Sequence, residues 1–169
     1  RELGVAEFVN ADDIARGLSE FAPETVAFRA GRIMLERFDA LAAKRADFAL
    51  ETTLSGLTLA RKIRHLKATD GYRCHIVFLY LPSSDLAVRR VAFRVRDGGH
   101  DVPKAIIRRR YEAGLRNFFG RYRALAEGWQ FYDSSGPGLP RRIARGSGTA
   151  VRKLNDPALW GRLQEKYDA

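Results

Sequence analysis

The residues best equipped for chemistry stand where short apolar runs end. Phe8-Val9 gives way to Asn10-Ala11-Asp12-Asp13, Phe48-Ala49-Leu50 to Glu51-Thr52-Thr53-Leu54-Ser55-Gly56, and Trp129 to Tyr132 to Asp133-Ser134-Ser135-Gly136. Carboxylates and hydroxyls recur at all three places. One of Asp12 and Asp13 is enough to cap a following helix. The other is then free to act as a base toward a substrate hydroxyl, as a positioned Asp does in phosphoryl transfer. Glu51 can hold a hydroxyl or a water on Mg²⁺, or simply form a cap or ion pair at a helix start. Thr52, Thr53 and Ser55 can hydrogen-bond a substrate or close the turn before Leu57.

A second group is cationic. The chain carries a formal charge of +10 with pI near 10.2, which calls for an anionic partner. Between Leu86 and Arg123 ten Arg and one Lys stand against Asp97, Asp101 and Glu112, so +8 of the +10 is focal. Charge runs are commonly solvated helix faces. Arginine rather than lysine favours phosphate, because a planar guanidinium grips two oxygens at once. Gly98-Gly99-His100-Asp101-Val102-Pro103 divides this segment into two helices with a glycine joint. His100 sits in that joint among arginines, where a role toward phosphate is open to it. His75 lies in an apolar run and reads as a core histidine, while His65 reads as helix surface. Spacing for a zinc site is absent, and so is a Ser, His and Asp arrangement for a hydrolase.

These groups need a scaffold. A chain of 169 residues, 46% hydrophobic, can bury one core without disulfides or metal, and we expect a single domain over 1–169. The lone Cys74 has no partner for an internal disulfide and reads as a small core residue, which suits a reducing cytoplasm. The sequence has no apolar run of membrane-spanning length and no export pattern at its start, and no internal repeat. Strands are expected at Glu7 to Asn10, Asp47 to Thr52, Cys74 to Leu81 and Trp129 to Asp133. Helices are expected at Glu24 to Arg45, Leu57 to Thr69, Ser84 to Arg96, Pro103 to Ala126 and Pro157 to Tyr167. Strands separated by such helices indicate βαβ units and a parallel sheet buried on both faces. The tail from Ser134 to Gly148 reads as a loop with one weak strand, Arg141 to Ala144.

Five strings in this order resemble the zeta-toxin-like family of small P-loop kinases: Phe8-Val9-Asn10-Ala11-Asp12, Ser19-Glu20-Phe21-Ala22-Pro23-Glu24, Glu51-Thr52-Thr53-Leu54-Ser55-Gly56, Gly98-Gly99-His100-Asp101-Val102-Pro103, and Ile107-Arg108-Arg109-Arg110-Tyr111. The resemblance implies a three-layer α/β/α parallel sheet of P-loop kinase type. A helical lid over about 86–123 and a C-terminal loop and helix over about 134–169 complete it. It also implies an ATP-dependent kinase with Mg²⁺, acting on a hydroxyl of a small molecule such as a UDP-activated amino sugar. On that likeness Asp12 is the general base and Glu51 holds the acceptor or the metal. Arg90, Arg94 and Arg109 contact the transferring phosphate. Asn10, Thr52, Thr53, Ser55 and His100 lie toward the substrate, and Asp133, Ser134 and Ser135 toward the nucleotide.

Such kinases carry a glycine-rich loop ending in Gly-Lys-Ser or Gly-Lys-Thr, and that string is absent from these 169 residues. The resemblance places the loop and first strand just before the stretch matching Glu7 to Asp12, so we expect both upstream of Arg1. Without the loop's amides and lysine the β- and γ-phosphates lose their main seat, and the chain as given is expected to be inactive. A basic nucleic-acid-binding module is the alternative that composition favours, although no nucleic-acid motif is present and nucleic acid is the less expected partner. A pseudokinase binding a nucleotide or protein partner is a third. An antitoxin protein is the macromolecular partner the family implies.

Overall fold

The computed structural model describes residues 7–18, 23–97 and 101–168, with the side chains of residues 12, 16 and 23–28 outside that description. The chain divides into two compact units, Arg1–Thr53 with Arg89–Ile106, and Leu54–Val88 with Ile107–Ala169.

In the first unit, β1 (Glu7–Asn10) runs into α1 (Ala11–Arg16), and α2 (Pro23–Ala43) leads to β2 (Phe48–Glu51). The strands pair in parallel, with Glu7 opposite Phe48 and Asn10 opposite Glu51. Helix α2 buries Ala30, Phe38, Leu41 and Ala42, the positions its helical period puts on one side. Phe38 meets Phe48 edge-on at 5.2 Å, which ties the helix to the second strand. Arg37 and Glu7 form an ion pair at 2.8 Å.

The second unit holds α3 (Thr58–Asp70) and a four-stranded sheet ordered β3 (His75–Tyr80), β4 (Gly128–Asp133), β5 (Arg141–Ser147), β6 (Ala150–Leu154). The β3–β4 pair is parallel and the two later pairs are antiparallel. Helix α4 (Ser84–Arg96) and helix α5 (Lys104–Asn117) begin or end in this unit. Helix α5 continues through a π-helical turn, Phe118–Tyr122, into α6 (Arg123–Leu125), and α7 (Pro157–Tyr167) closes the chain. Phe118, Phe119, Tyr122, Trp129, Phe131 and Trp160 form the core. Trp129 and Trp160 stack at 5.2 Å, and Phe78 and Phe131 at 5.0 Å. Asp156 caps α7 by accepting from the Leu159 amide at 3.0 Å, with Pro157 at the first helical position.

The α/β class with parallel strand pairs holds, and several expectations need correction. The sheet of the second unit is mixed: the weak strand expected at Arg141 to Ala144 is present and runs on to Ser147 as β5, and it pairs with β6 in a hairpin that was not expected. Its two-residue loop puts Gly148 at φ +54°, a conformation that glycine adopts freely. Burial on both faces fails for β3: Val77 and Leu79 are 57% and 58% exposed, so the apolar run 76–79 lies against the core on one side only. His75 is exposed, not a core histidine, and Cys74 is half-buried. The helix expected from Pro103 to Ala126 is interrupted by the π turn. Ser19-Glu20-Phe21-Ala22 and the joint residues Gly98, Gly99 and His100 lie outside the described residues.

Candidate active site

Parallel strands deliver their C-terminal ends to one side, where ligands of open α/β sheets gather. Asn10 and Glu51 end β1 and β2 and are register partners. The Asn10 amide nitrogen donates to a Glu51 carboxylate oxygen at 3.0 Å. Glu51, Thr52 and Thr53 are exposed, so this corner is open to a solute. Asp12 is the second residue of α1, with its side chain outside the described residues, and Asp13 beside it is exposed.

The segment after β2 enters the second unit at Leu54, which is buried and takes φ +53°. A bulky residue at positive φ stores backbone strain. Asn117 donates to the Leu54 carbonyl at 2.8 Å and the Tyr122 hydroxyl to the Gly56 carbonyl at 2.6 Å. These two bonds hold the loop that carries half-buried Ser55. Nothing in the sequence pattern marked Asn117 or Tyr122 for that task. An Asn inside a helix just before an aromatic run was the available signal.

Asp133, at the end of β4, accepts from the Ser135 amide at 2.9 Å. Arg141 reaches Asp133 at 3.5 Å and Asp156 at 3.0 Å. Partial burial pushes the Asp133 carboxyl up, but the hydrogen bonds from Ser135 and the Arg141 charge outweigh it and hold it below the usual range. Beside it lies a cavity of about 500 Å³ lined by Tyr80, Tyr111, Asp133, Arg141 and Arg162, among others. Arg141 and Asp156 had not been singled out from sequence. Ser134 follows on the same turn, its amide donating to the Tyr80 carbonyl at 2.9 Å.

Arg90 and Arg94 are exposed one turn apart on α4, and Arg109 is exposed on α5. Spacing of four puts Arg90 and Arg94 on one side of their helix. At the base of α4, Asp85 and Arg108 pair at 2.5 Å, and Tyr111 donates to the Leu81 carbonyl at 2.8 Å. Thus the structure brings together Asn10 with Glu51, and Asp133 with the Ser135 backbone. His100 lies outside the described residues.

Comparison with known proteins decides the family. The sequence model described as Zeta toxin matches residues 10–132, well over half of the chain. This chain belongs to the zeta toxin family. It is also 25% identical over 103 residues to an uncharacterized protein of Haemophilus influenzae, spanning 61% of this chain and 73% of that one. No solved structure matches. Zeta toxins are a kinase-like P-loop family, and the mixed α/β architecture agrees with that class. Among the described residues of this zeta toxin family member, no three His, Cys, Asp or Glu converge as a metal cage. Mg²⁺ in phosphoryl transfer takes one or two carboxylates and completes its shell with phosphates and water. Glu51, exposed at the end of β2, is a carboxylate donor of that chemical kind. No helix among the described residues is long and apolar enough to cross a membrane.

Proposed function

We propose that this zeta toxin family member is the catalytic body of an ATP-dependent phosphotransferase that acts on a hydroxyl of a small molecule, such as a UDP-activated amino sugar. The observation that carries the reading is the Asn10–Glu51 hydrogen bond at the C-terminal ends of two parallel strands, next to Asp12 in a chain of this family. Asp12 takes the proton of the acceptor hydroxyl as its oxygen attacks the γ-phosphorus of ATP, and the bond to the bridging oxygen breaks to release ADP. Glu51, oriented by Asn10, holds that acceptor or a water on Mg²⁺. Asn10, Thr52, Thr53, Ser55 and His100 serve the acceptor. Arg90, Arg94 and Arg109 neutralise charge on the transferring group. Asp133, Ser134 and Ser135 receive the nucleotide beside the Tyr80 and Tyr111 cavity, which is roomy enough for a base. ATP with bound Mg²⁺ supplies the phosphoryl group.

The reading also holds that transfer needs a glycine-rich phosphate loop, a string these 169 residues do not contain. A cytoplasmic setting and an antitoxin protein partner belong to the same proposal. The test has two arms. The 169-residue chain should show negligible Mg²⁺-dependent ATP turnover. A version joined to a Gly-Lys-Thr loop and its strand should transfer phosphate, and Asp12→Asn should abolish transfer while ATP still binds. Robust turnover by the short chain removes the requirement for the loop, and unchanged transfer in Asp12→Asn removes Asp12 as the base.

A further inference from the structure

A helix and a loop, both within the second unit, are fastened together in a way that regular helix geometry would not allow. Asn117 precedes the π turn and Tyr122 ends it. On an α-helix of 3.6 residues per turn, side chains with that spacing point about 140° apart. Here the Arg123 amide bonds the Phe118 carbonyl, and a turn closed by i+5 to i bonds brings the later residue round over the earlier one. Both side chains consequently reach one loop, Asn117 at the Leu54 carbonyl and Tyr122 at the Gly56 carbonyl. The Tyr122 hydroxyl also accepts from the Ala60 amide. Helix α3 needs that acceptor, because its N-cap is Leu57, which makes no side-chain bond to the first-turn amides.

Core packing accounts for part of this arrangement. Phe118, Phe119 and Tyr122 are buried, and a buried phenol must find hydrogen-bond partners wherever it lies. Packing accounts for neither Asn117 nor Leu54. Asn forms helices less readily than most residues and is half-buried here, so the core does not ask for it at this point. Leu54 is buried at φ +53°, a conformation unfavourable for a bulky side chain, which persists because the surroundings enforce it. Its carbonyl is the one that Asn117 holds. Strain of this kind gathers where a group must be set in advance. The residue between the two anchored carbonyls is Ser55, within the string that begins at Glu51.

We propose that Asn117 and Tyr122 are positioning residues for the acceptor: by pinning Leu54 and Gly56 they set Ser55 in advance for a hydrogen bond to the hydroxyl-bearing substrate. The proposal rests on the phosphotransferase reading and adds to it two residues that touch no substrate. Asn117→Asp keeps the side-chain shape but turns the donor into an acceptor, and Tyr122→Phe keeps the ring in the core but removes the hydroxyl. In the 169-residue chain each should speed hydrogen exchange of the amides at 55–57 by about tenfold or more, well beyond any change in the β4 amides. With the glycine-rich loop restored and UDP-N-acetylglucosamine as the acceptor probe, each should raise the acceptor KM by about fivefold to tenfold and leave the KM for ATP at the parent's value. A merely structural role would lower kcat through a smaller folded fraction and move neither KM. An exchange rise shared equally by the loop and β4 reflects lost global stability and overturns the role. An active parent whose variants keep its acceptor KM also overturns it, and leaves the phosphotransferase reading standing. A loop-restored parent that transfers no phosphate to the probe defeats the acceptor reading, and the role falls with it.

Discussion

Asn10 and Glu51 face each other across the ends of β1 and β2, and the amide of one holds the carboxylate of the other at 3.0 Å. The bond restrains the Glu51 carboxylate, and on the function proposed above Asn10 serves to position it. In a form of the protein competent for transfer, Asn10→Asp should replace the donor by a second carboxylate beside Glu51, and we expect kcat to fall by about tenfold to a hundredfold. Asn10→Ala should lower kcat less. Equal kcat for both variants and the parent would remove the residue from the site.

The Arg123 side chain is buried in the second unit, pairs with Asp168, and donates from Nε to the Phe119 carbonyl at 3.2 Å. Its other terminal nitrogen has no partner. Removing Asp168 strands the buried Arg123 charge and costs about 3 kcal/mol or more, whereas Arg123→Met keeps the packing volume and strands only Asp168, whose side chain is 25% exposed. Asp168→Ala should therefore lower the urea midpoint further than Arg123→Met. The opposite order would show that Arg123 is held mainly by its carbonyl and ring contacts.

Gly146 has no room for a side chain. A Cβ there would lie 2.2 Å from the Trp129 ring and 2.2 Å from the Ala150 carbonyl oxygen. Since both neighbours are fixed, by the core and by the β6 backbone, Gly146→Ala should destabilise the chain by roughly 2–3 kcal/mol. A thermal melt within a degree or two of the parent would contradict the packing described.

Burial, helped by the neighbouring Glu127 carboxylate and opposed by Lys67, pushes the Cys74 thiol up to about 11 from an ordinary 9.0. The raised value leaves far less thiolate at mildly alkaline pH, partly offset by the greater nucleophilicity of a more basic thiolate. Iodoacetamide at pH 8 should label the native chain more slowly than the urea-unfolded chain, by roughly tenfold or more. Comparable rates would place Cys74 in open solvent.

Asp133, Asp156 and Glu127 all titrate below their ordinary values in the folded chain. A depressed carboxylate stabilises the fold above the unfolded value and ceases to do so as pH falls through the folded one. Stability should thus be level near neutrality and decline once pH drops below the ordinary carboxylate range. Asp133→Asn should lose stability at pH 7 and show a shallower acid decline. An acid limb identical to the parent's would mean that Asp133 carries none of the effect.

What the sequence revealed and what it concealed have physical causes. The ends of β1 and both ends of α4 and α7 were readable, because apolar period, Pro157 and the Ser84 start act locally. The placement of Asn10 and Glu51 at strand ends followed from Phe8-Val9 and Phe48-Ala49-Leu50. The β5–β6 hairpin was not legible, because Arg141 to Leu154 is too cationic to show alternation and its bulges place consecutive Ile143 and Ala144 inward. The open side of β3 was also hidden. An apolar run states that residues can be buried, and only the surroundings decide whether Val77 and Leu79 are. Arg141's sharing between Asp133 and Asp156 depends on strand pairing, which no local string encodes.

The π turn at Phe118–Tyr122 widens the helix where Phe118, Phe119, Tyr122 and Arg123 all turn inward. Such a turn amounts to one residue more than a regular helix needs, so chain length here is as fixed as residue type. Dropping or adding a single residue between Leu115 and Ala126 would rotate the Arg123 end out of phase with Asp168. Divergent copies of this protein should therefore vary in length through the Ser134–Pro140 loop, and keep an unbroken count across the aromatic helix.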